Sequence, residues 1–467
     1  MLTRFVTVIS VAALAAAMAV PAAFKPPAGV VTGAPPTVPD GFTFAAGGDL
    51  IGPYHTLQGV EDPPFFNGVV PLLKSADVGF ANQEGSIFDL PAFPGSPAAE
   101  NGGGIPQSPL SVAHDLRAMG ITMVSKANNH ATDWGTEGLV VTQQSLRSAG
   151  IVFAGSGLSE AEARAPGYLD TPKGKAALVS AASTFTNMSV AGAPGTRRGQ
   201  PTHARPGISV LHVEQIQLRP VDEVARLRSI VYGGAGASPG GGGASRDEVE
   251  VGGQVFRAAP ARGATWEMNK ADEAAIVSAV RDARANASFV LFAIHAHETG
   301  GPVNDPAPGR MVEKSDEAQA PNDPRPADFE PALFHELIDA GADAVVRTGP
   351  HLVDGIEIYK GRPIFYSLGS LFFDFQGRKS YTVPTGQTLT FPDEWFETVV
   401  PVTTYKGGKL SEIKLYPMAI ESSNTPTGGA PHPAPPEEAR RILERLKTLS
   451  ALFGTQVEIE NNVGVVR

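Results

Sequence analysis

The sequence predicts an α/β protein in which sheets and helices form a layered sandwich. From Gly41 to about Met418, apolar runs typical of β-strands alternate with amphipathic stretches typical of helices, which is the pattern of α/β domains. Two late segments, Arg362 to Phe375 and Glu397 to Leu415, are rich in strand-like runs and poor in helical ones. We expect these segments to form a second sheet, which makes the domain a sandwich of layers.

Four amphipathic stretches predict helices, and an apolar run follows each of them. The predicted helix and strand pairs are Ser111 to Met119 with Ile121 to Val124, Glu137 to Ala149 with Ile151 to Ala154, Ala271 to Arg284 with Phe289 to Ile294, and Ala327 to Ala340 with Ala344 to Val346. The six successive apolar residues from Phe289 predict a strand buried on both faces, as in a mainly parallel sheet.

The amino-terminal region predicts export. Residues 1–23 have the pattern of a signal peptide, because Arg4 precedes the uncharged run Phe5 to Val20, and small residues follow it. The alternative is a retained membrane anchor, but this run is short for a bilayer span of roughly 20 residues. We expect a cleaved signal and a periplasmic or extracellular protein.

Composition divides the remainder of the chain into a central domain and flanking tracts. We predict a Pro-rich spacer at 24–40, the central domain at 41–420, a Pro-rich linker at 421–436, and a C-terminal helix and strand at 437–467. Within the domain, 233–243 is a Gly-rich insertion. The Pro-rich, charged tract 300–328 is either a lid over a site or an unstructured excursion.

Charge and cysteine content exclude several classes of function. The formal net charge of −11, without a basic run containing aromatic residues, argues against a nucleic-acid partner. The chain has no Cys, so neither a disulfide nor a thiolate ligand or nucleophile is available. An anionic polymer would have to bind a local patch or a bound cation.

The most informative segment is Lys126 to Gly135, which places Asn129, His130 and Asp133 directly after an apolar run. Binding and catalytic groups in α/β proteins collect on loops beyond the carboxyl ends of strands. An Asn oxygen and a His nitrogen can hold a divalent cation, and a neighbouring His can move a proton. The alternative is a loop in which Asn and Asp bond to their own backbone and cap the next helix.

Four more polar clusters follow strand-like runs. They are Gly47-Gly48-Asp49, Asn82-Gln83-Glu84, His295-Ala296-His297-Glu298 and Gly349-Pro350-His351. The two glycines at the end of the first run are expected to let the backbone turn sharply before Asp49. His295 and His297 lie two apart, so on a continuing strand they face the same side and can converge on one ion. Carboxylates, an amide and imidazoles together suit Zn, Mn or Fe better than Ca or Cu(I).

These clusters, in this order and together with Tyr366-Ser367-Leu368-Gly369-Ser370, resemble the CapA or PgsA type of poly-γ-glutamate capsule synthesis protein. The resemblance covers most of Gly41 to about Met418. It implies the fold of calcineurin-like metallophosphoesterases, a four-layer α/β/β/α sandwich. It also implies a divalent metal site, with one or two ions of Mn, Zn or Fe.

The resemblance implies a role for each matching residue. The metal ligands would be Asp49, Glu84, Asn129, His295 and His351, with Glu84 placed to bridge two ions. His130 would be a proton-donating catalytic residue beside Asn129. We expect His297 and Glu298 to complete the catalytic group at the end of the Phe289 strand.

The sequence departs from the pattern of phosphoesterase-like sites at several positions. Ile51 and Thr348 occupy positions where such sites usually carry His, so the site has two fewer imidazoles and a two-metal centre should be weakened. Arg347 replaces a usual glycine. We expect Arg347 to point outward as a solvated charge, and the alternative is an anion contact inside the cleft.

Three functions remain open from the sequence. The first is an exported CapA-like protein of capsule-type polymer biosynthesis with a metal-dependent hydrolase-like site, acting on an anionic polymer or phosphoester beside membrane-bound synthesis machinery. The second is an exported metallophosphoesterase unconnected with capsule. The third is a non-catalytic protein that binds an anionic polymer on the same fold.

Overall fold

A computed structural model describes residues 36–52, 68–102, 104–233, 247–299, 326–374, 379–382, 388–422 and 428–467. The predicted signal peptide lies outside the described residues, as do most of the Pro-rich spacer, nearly all of the Gly-rich insertion and most of the 300–328 tract. Part of the predicted 421–436 linker also lies outside them. The described part confirms the prediction of a mixed α/β protein with several sheets.

The first sheet is built around the strand Thr43–Ile51. This strand runs parallel to Val78–Gln83 on one side and antiparallel to Glu397–Lys406 on the other. Across the sheet the order is Glu458–Glu460, Val463–Val466, Lys409–Ile420, Glu397–Lys406, Thr43–Ile51, Val78–Gln83, Met123–Ser125 and Val152–Ala154. Two further strands pair outside this order: Ser370–Phe373 with Thr43–Ile51, and Pro431–Pro433 with Lys409–Ile420. The strands from Thr43–Ile51 to Val152–Ala154 are parallel to one another, so their carboxyl ends share one edge.

The second sheet has the strand Phe289–His295 near its centre. All seven residues of this strand are buried, which confirms the predicted burial on both faces. The order across the sheet is Ile356–Tyr359, Arg362–Phe365, Ala344–Thr348, Phe289–His295, Gly174–Ala182 and Gly167–Thr171, and the four inner strands are parallel.

The described residues form eight α-helices. They are Val69–Ser75, Ser111–Met119, Gly135–Ser148, Glu160–Arg164, Val221–Tyr232, Lys270–Asn286, Phe329–Ala340 and Pro436–Ala451. The four helices predicted from apolar spacing are all present, within about two residues of their predicted ends. Local signals explain two of these ends: the Asn269 side chain caps Lys270–Asn286, and Gly120 adopts φ 105° after Ser111–Met119. Among the helices described, none is long and apolar enough to cross a lipid bilayer.

A third sheet, absent from the prediction, lies between the second-sheet strands Gly174–Ala182 and Phe289–His295 in the chain. Its order is Glu248–Val251, Gln254–Ala258, Val213–Arg219 and Gly263–Met268, and the helix Val221–Tyr232 contacts it. Four short strand pairs also occur in the described ranges: Ser86–Ile87 with Gln107–Ser108, Ser156–Gly157 with Gly207–Ile208, Gly195–Arg197 with Gln200–Thr202, and Ser380–Thr382 with Thr388–Thr390. The 3-10 helices of the same ranges are Leu90–Ala92, Asn187–Ser189 and Asp393–Phe396.

One hydrophobic cluster joins the two large sheets. Phe44 and Phe80 of the first sheet and Phe289 and Leu291 of the second are fully buried in it. The Phe42 and Phe289 rings lie 4.8 Å apart, and burying such rings contributes several kcal/mol to folding. A second cluster covers the other face of the second sheet with residues of Lys270–Asn286 and Phe329–Ala340, and a third lies between the first sheet and helices that include Ser111–Met119.

Two expectations about strands are wrong. The segments 362–375 and 397–415 do not form a sheet of their own: Arg362–Phe365 joins the second sheet, while Glu397–Lys406 and Lys409–Ile420 extend the first. The Gly47-Gly48 pair does not end a strand, because Thr43–Ile51 continues through it with an irregular register between Ala46 and Asp49. The glycines are required by close packing, since a Cβ on Gly48 would lie 1.6 Å from the Gly369 carbonyl oxygen.

Candidate metal centre

The first sheet brings two carboxylates and a polar loop to one edge. Asp49 lies near the carboxyl end of Thr43–Ile51, Glu84 directly follows Val78–Gln83, and Asn129 and His130 follow the neighbouring strand. The carboxyl ends of parallel strands are the usual place for a binding cleft in such sheets. Asp49 and Glu84 are completely buried, so neither charge is solvated by bulk water.

The second sheet brings three imidazoles to the same place. His295 is the last residue of Phe289–His295, His297 lies two residues beyond it, and His351 lies three residues beyond Ala344–Thr348. All three are buried. His351 has φ 58°, a conformation that a residue with a Cβ rarely adopts, and it places Nδ1 3.2 Å from Oδ2 of Asp49.

Hydrogen bonds fix both oxygens of Asp49. Asn82 Nδ2 donates to Oδ1 at 2.7 Å, and the Gly349 N–H donates to Oδ2 at 3.0 Å. Gly349 has φ 116°, and a Cβ there would lie 2.6 Å from Cδ2 of His297. Glycine at this position therefore allows the backbone to reach Asp49 and leaves room for the imidazole.

Glu84 has no hydrogen-bond partner on either carboxylate oxygen among the described residues. Its Oε1 lies 3.6 Å from Nε2 of His295 and 3.8 Å from Nε2 of His130. Burial raises the pKa of Glu84 well above its usual value, and the charge of Asp49 raises it further, against a smaller opposing effect of Lys126. A buried carboxylate in this state needs a proton or a cation.

His295 and His297 face each other with their Nε2 atoms 3.0 Å apart. Burial lowers the pKa of His295 well below its usual value, and the nearby imidazoles of His297 and His351 lower it further, so it is neutral. Thr348 Oγ1 lies 3.2 Å from Nδ1 of His295 and 3.5 Å from the Ile294 carbonyl oxygen. The Asn82 amide nitrogen, which can only donate, also lies 3.2 Å from Nδ1, so the two contacts favour opposite tautomers of His295. In the tautomer in which the Thr348 hydroxyl accepts from Nδ1–H, the Nε2 lone pair of His295 is free to bind a cation.

His130 is oriented by Asp133, whose Oδ2 lies 2.6 Å from Nδ1 of the imidazole. This contact assigns the proton to Nδ1 and leaves Nε2 facing Glu84. The neighbouring Asn129 donates from Nδ2 to the Gly102 carbonyl oxygen at 3.0 Å. Its Oδ1 is buried and has no hydrogen-bond partner within the described part of the chain.

Glu298 is held by hydroxyl groups. Ser183 Oγ donates to its Oε2 at 2.7 Å, and Thr184 Oγ1 lies 3.2 Å from both carboxylate oxygens. The same Thr184 oxygen accepts from the His297 N–H at 2.9 Å. Glu298 and Thr184 therefore also fix the backbone that presents His297.

Arg347 does not point outward as expected, because its side chain is buried with 2% exposure. Its Nε lies 2.7 Å from Oε1 of the buried Glu330, and its Nη2 donates to the Glu298 carbonyl oxygen at 2.7 Å. The guanidinium therefore supports the segment that carries His297 and Glu298.

Sequence reasoning missed several residues of the site. Asn82 contacts both Asp49 and His295, and Asn128 donates to Oδ1 of Asn82 at 3.2 Å. Lys126 is fully buried and donates from Nζ to the carbonyl oxygens of Glu84 and Gly85. Burial lowers the pKa of Lys126 to about 8, against the opposing charges of Asp133 and Glu84. The clue for Asn82 was its position two residues before Glu84, because residues two apart along a strand face the same side.

Two groups of side chains in the described part of the chain have ligand atoms close enough to hold a metal ion. Glu84, His295 and His297 form one group, and Asp49, Glu84 and His351 form the other; in each group, one ligand atom from every residue lies within 4.8 Å of the others. Glu84 belongs to both. The residues fit a divalent cation, because the set combines imidazoles with carboxylates. The oxygens of Glu84 and Oδ1 of Asn129 are also buried without a hydrogen-bond partner in the described chain.

Two sheets that meet at a buried cluster of carboxylates and imidazoles define an α/β protein with a potential metal centre. The family model for the bacterial capsule synthesis protein PGA_cap matches residues 43–310 and 318–375. This chain belongs to that family, as the resemblance in its motifs indicated.

Individual relatives match either nearly the whole chain or short parts of it. Two uncharacterized proteins of Sinorhizobium fredii, y4sH and y4uA, are each 38% identical over 468 residues, covering 94% of this chain and 95% of theirs. The PGA biosynthesis protein CapA of Bacillus subtilis is 47% identical over 53 residues, which is 11% of this chain and 13% of that protein. The membership suggests a function associated with capsule biosynthesis.

Proposed function

We propose that this protein is an exported accessory protein of poly-γ-glutamate or similar capsule-type polymer biosynthesis, with a metal-dependent site of phosphoesterase type. The observation that carries the proposal is the completely buried Glu84. Its two carboxylate oxygens have no hydrogen-bond partner in the described chain, and its Oε1 faces Nε2 of His295 and of His130. The polymer is inferred from the family and from the name of the Bacillus subtilis relative.

The cation would be Mn, Zn or Fe, held by Asp49, Glu84, His295 and His351, with Asn129 and His297 as further ligands. One ion or two fit the two overlapping groups of ligand atoms. When bound, a divalent cation offsets the repulsion between the carboxylates and polarises a phosphoryl or carbonyl oxygen of the substrate.

The side chains around this cluster supply the remaining chemistry. His130 holds one proton on Nδ1 through Asp133 and exchanges a second at Nε2, as a general acid would for a leaving group. Arg347 and Thr184 keep the His297 and Glu298 segment in place. The burial of Asp49, Glu84 and His295 keeps bulk water from the cluster, which strengthens its electrostatic interactions.

The proposal includes a four-layer α/β/β/α arrangement. Its support is the hydrophobic cluster shared by the two large sheets, with separate clusters of helices against their outer faces. It also includes export through residues 1–23, which rests on the composition of that segment. Sequencing the amino terminus of protein recovered from culture medium or periplasm tests the cleavage.

Metal content and turnover together test the proposed function. We expect the purified protein to contain Mn, Zn or Fe, to hydrolyse a generic phosphodiester in the presence of Mn, and to lose turnover in His130→Ala. His335→Ala is the matched control, because His335 pairs with Glu357 outside the site. Turnover that persists in His130→Ala would contradict the assignment of that residue.

The other two functions are alternative outcomes of the same experiment. Neither metal nor turnover, combined with retention on immobilised poly-γ-glutamate, would favour a non-catalytic polymer-binding protein. Metal and phosphodiester turnover without any binding of poly-γ-glutamate would favour a metallophosphoesterase unconnected with capsule.

A further inference from the structure

Gly102 lies against Asn129 and His130, two site residues in the loop that follows the Met123–Ser125 strand. Its carbonyl oxygen accepts from Asn129 Nδ2 at 3.0 Å, and its N–H donates to Oδ1 of Asp133 at 2.9 Å. Both backbone groups of one residue are thus used by side chains of the candidate site, although Gly102 lies 27 residues before Asn129 in the chain.

The contact with Asn129 sets the direction of its amide. Because Nδ2 is held by the Gly102 carbonyl oxygen, the amide is turned so that Oδ1 is the atom left for a ligand. That oxygen is buried and has no hydrogen-bond partner among the residues described. A flipped amide would instead bring Oδ1 against another carbonyl oxygen, which is repulsive.

The contact with Asp133 sets the orientation of His130. One carboxylate oxygen of Asp133 accepts from the Gly102 N–H, and the other is 2.6 Å from Nδ1 of His130. The carboxylate therefore cannot rotate without breaking one of two hydrogen bonds. His130 is held with its Nδ1 protonated and its Nε2 toward Glu84, 3.8 Å away.

The segment around Gly102 is itself fixed at two other points. The Ala98 N–H donates to the Asp133 carbonyl oxygen at 2.7 Å. The Glu100 carboxylate accepts from the N–H groups of Asn187 and Met188 at 2.8 and 3.2 Å. These contacts hold the segment on the rest of the protein, so the position of Gly102 does not depend on Asn129 and Asp133 alone.

Only glycine fits at this position. A Cβ on Gly102 would lie 2.7 Å from the backbone oxygen of Asn129 and 2.9 Å from Nδ1 of His130. The first contact is with backbone, so no side-chain rotation relieves it. Gly104, two residues further on, has nothing closer than 3.9 Å to such a Cβ.

We propose that Gly102 is a positioning residue that orients the Asn129 amide and the Asp133–His130 pair through its own backbone. The part that concerns the Asn129 oxygen rests on the proposed function, since it requires a cation at the site. The part that concerns His130 does not, because the contacts that join Gly102, Asp133 and His130 involve no cation.

The test compares Gly102→Ala with Gly104→Ala, each as the full chain. Titration calorimetry with Mn²⁺ measures the first part, and the low-field proton resonance of the His130 Nδ1–H, assigned by its loss in Asp133→Ala, measures the second. We expect Gly102→Ala to weaken Mn²⁺ binding ~10- to 100-fold, as loss of an orienting partner does, and to shift or broaden that resonance. Gly104→Ala should leave both unchanged.

Each outcome either supports or overturns the positioning role of Gly102. Unchanged Mn²⁺ affinity and an unchanged resonance in Gly102→Ala, or equal changes in both variants, would overturn the proposal. If the wild-type protein binds no Mn²⁺, the proposed metal function fails, and the resonance alone still tests Gly102. If Gly102→Ala does not fold, hydrogen exchange of the Gly102 amide is compared between wild type and Asp133→Ala: faster exchange in the variant supports the proposal, and equal exchange refutes it.

Discussion

The Nε2 atoms of His295 and His297 lie 3.0 Å apart, and Oε1 of Glu84 lies 3.6 Å from the first of them. Two imidazole nitrogens at this distance either share one hydrogen bond or turn their lone pairs toward a common cation. Thr348 stands where the resemblance predicts another imidazole in sites of this type, and its hydroxyl contacts His295 Nδ1. Under the proposed function, His297 would therefore supply a nitrogen ligand in a site that has fewer imidazoles than expected.

The first prediction concerns His297. We expect His297→Ala to weaken Mn²⁺ or Zn²⁺ binding by at least ~10- to 100-fold, because loss of a ligand should cost no less than loss of an orienting partner. Titration calorimetry measures the affinity, and His335→Ala is the control. An unchanged Kd in His297→Ala would show that this imidazole is not a ligand.

The second prediction concerns the stability of the metal-free protein. Glu84 is a buried carboxylate without a hydrogen-bond partner in the described chain, so Glu84→Gln should raise the free energy of unfolding by ~1–3 kcal/mol when metal is removed. Saturating Mn²⁺ should raise the Tm of the wild type and leave that of the variant unchanged, since only a form that binds the ion is stabilised.

Glu444→Gln is the control for this prediction, because Glu444 is exposed on the helix Pro436–Ala451. It should change neither the stability of the metal-free protein nor the response to Mn²⁺. A Glu84→Gln variant that is less stable than the wild type without metal would mean that the carboxylate has a stabilising partner.

The third prediction is a pH dependence of stability through Glu330. Burial raises the pKa of Glu330 to about 8, against the opposing charge of Arg347 and with smaller contributions from Glu298 and Asp354. The folded protein then binds a proton that the unfolded chain releases near pH 4.5. The stabilisation that Glu330 contributes to the folded protein is fully present below that pH. It is lost as the pH rises toward about 8, and the free energy of unfolding falls by ~1.4 kcal/mol per pH unit in this range.

Urea denaturation of the wild type and of Glu330→Gln at several pH values between 4.5 and 8 measures this contribution. As the pH rises, the unfolding free energy of the wild type should fall relative to that of Glu330→Gln. This difference between the two proteins should level off above about pH 8. A difference that is constant with pH would show that Glu330 has the same pKa in both states.

Much of the site was predictable because parallel strands deliver their carboxyl ends to one edge of a sheet. Asp49, Glu84 and His295 each lie at or just beyond such an end, so their convergence follows from recognising the strands. Ser111–Met119 was likewise predictable from its apolar spacing and from Gly120.

The remaining features depend on contacts between distant parts of the chain, which the periodicity of a sequence does not encode. The burial of Arg347 depends on Glu330, which lies on a helix packed behind its strand. The sheet to which Glu397–Lys406 belongs depends on pairing with Thr43–Ile51, more than 300 residues earlier. The strand Val213–Arg219 reads as weakly apolar, because it is only partly buried in the third sheet.

The last prediction concerns Gly48. Glycine is required here because the backbone at Gly369 passes very close to the strand Thr43–Ile51, just before Asp49. A Cβ there would lie 1.6 Å from the Gly369 carbonyl oxygen, and Gly369, with φ 78°, is confined by the Glu397 carbonyl oxygen on its other side. Neither strand can shift without moving Asp49, whose register partner is Ser370. We expect Gly48→Ala to lower the free energy of unfolding by ~3 kcal/mol or more, and to weaken metal binding in whatever fraction remains folded.

Gly263→Ala is the matched control, since Gly263 also lies in a strand but has nothing closer than 3.8 Å to an added Cβ. Its unfolding free energy should stay within ~0.5 kcal/mol of the wild type. Urea denaturation and Mn²⁺ titration of both variants check the prediction. A Gly48→Ala protein as stable as Gly263→Ala would mean that the two backbones can separate, and the carboxylate of Asp49 would then not be held by this packing.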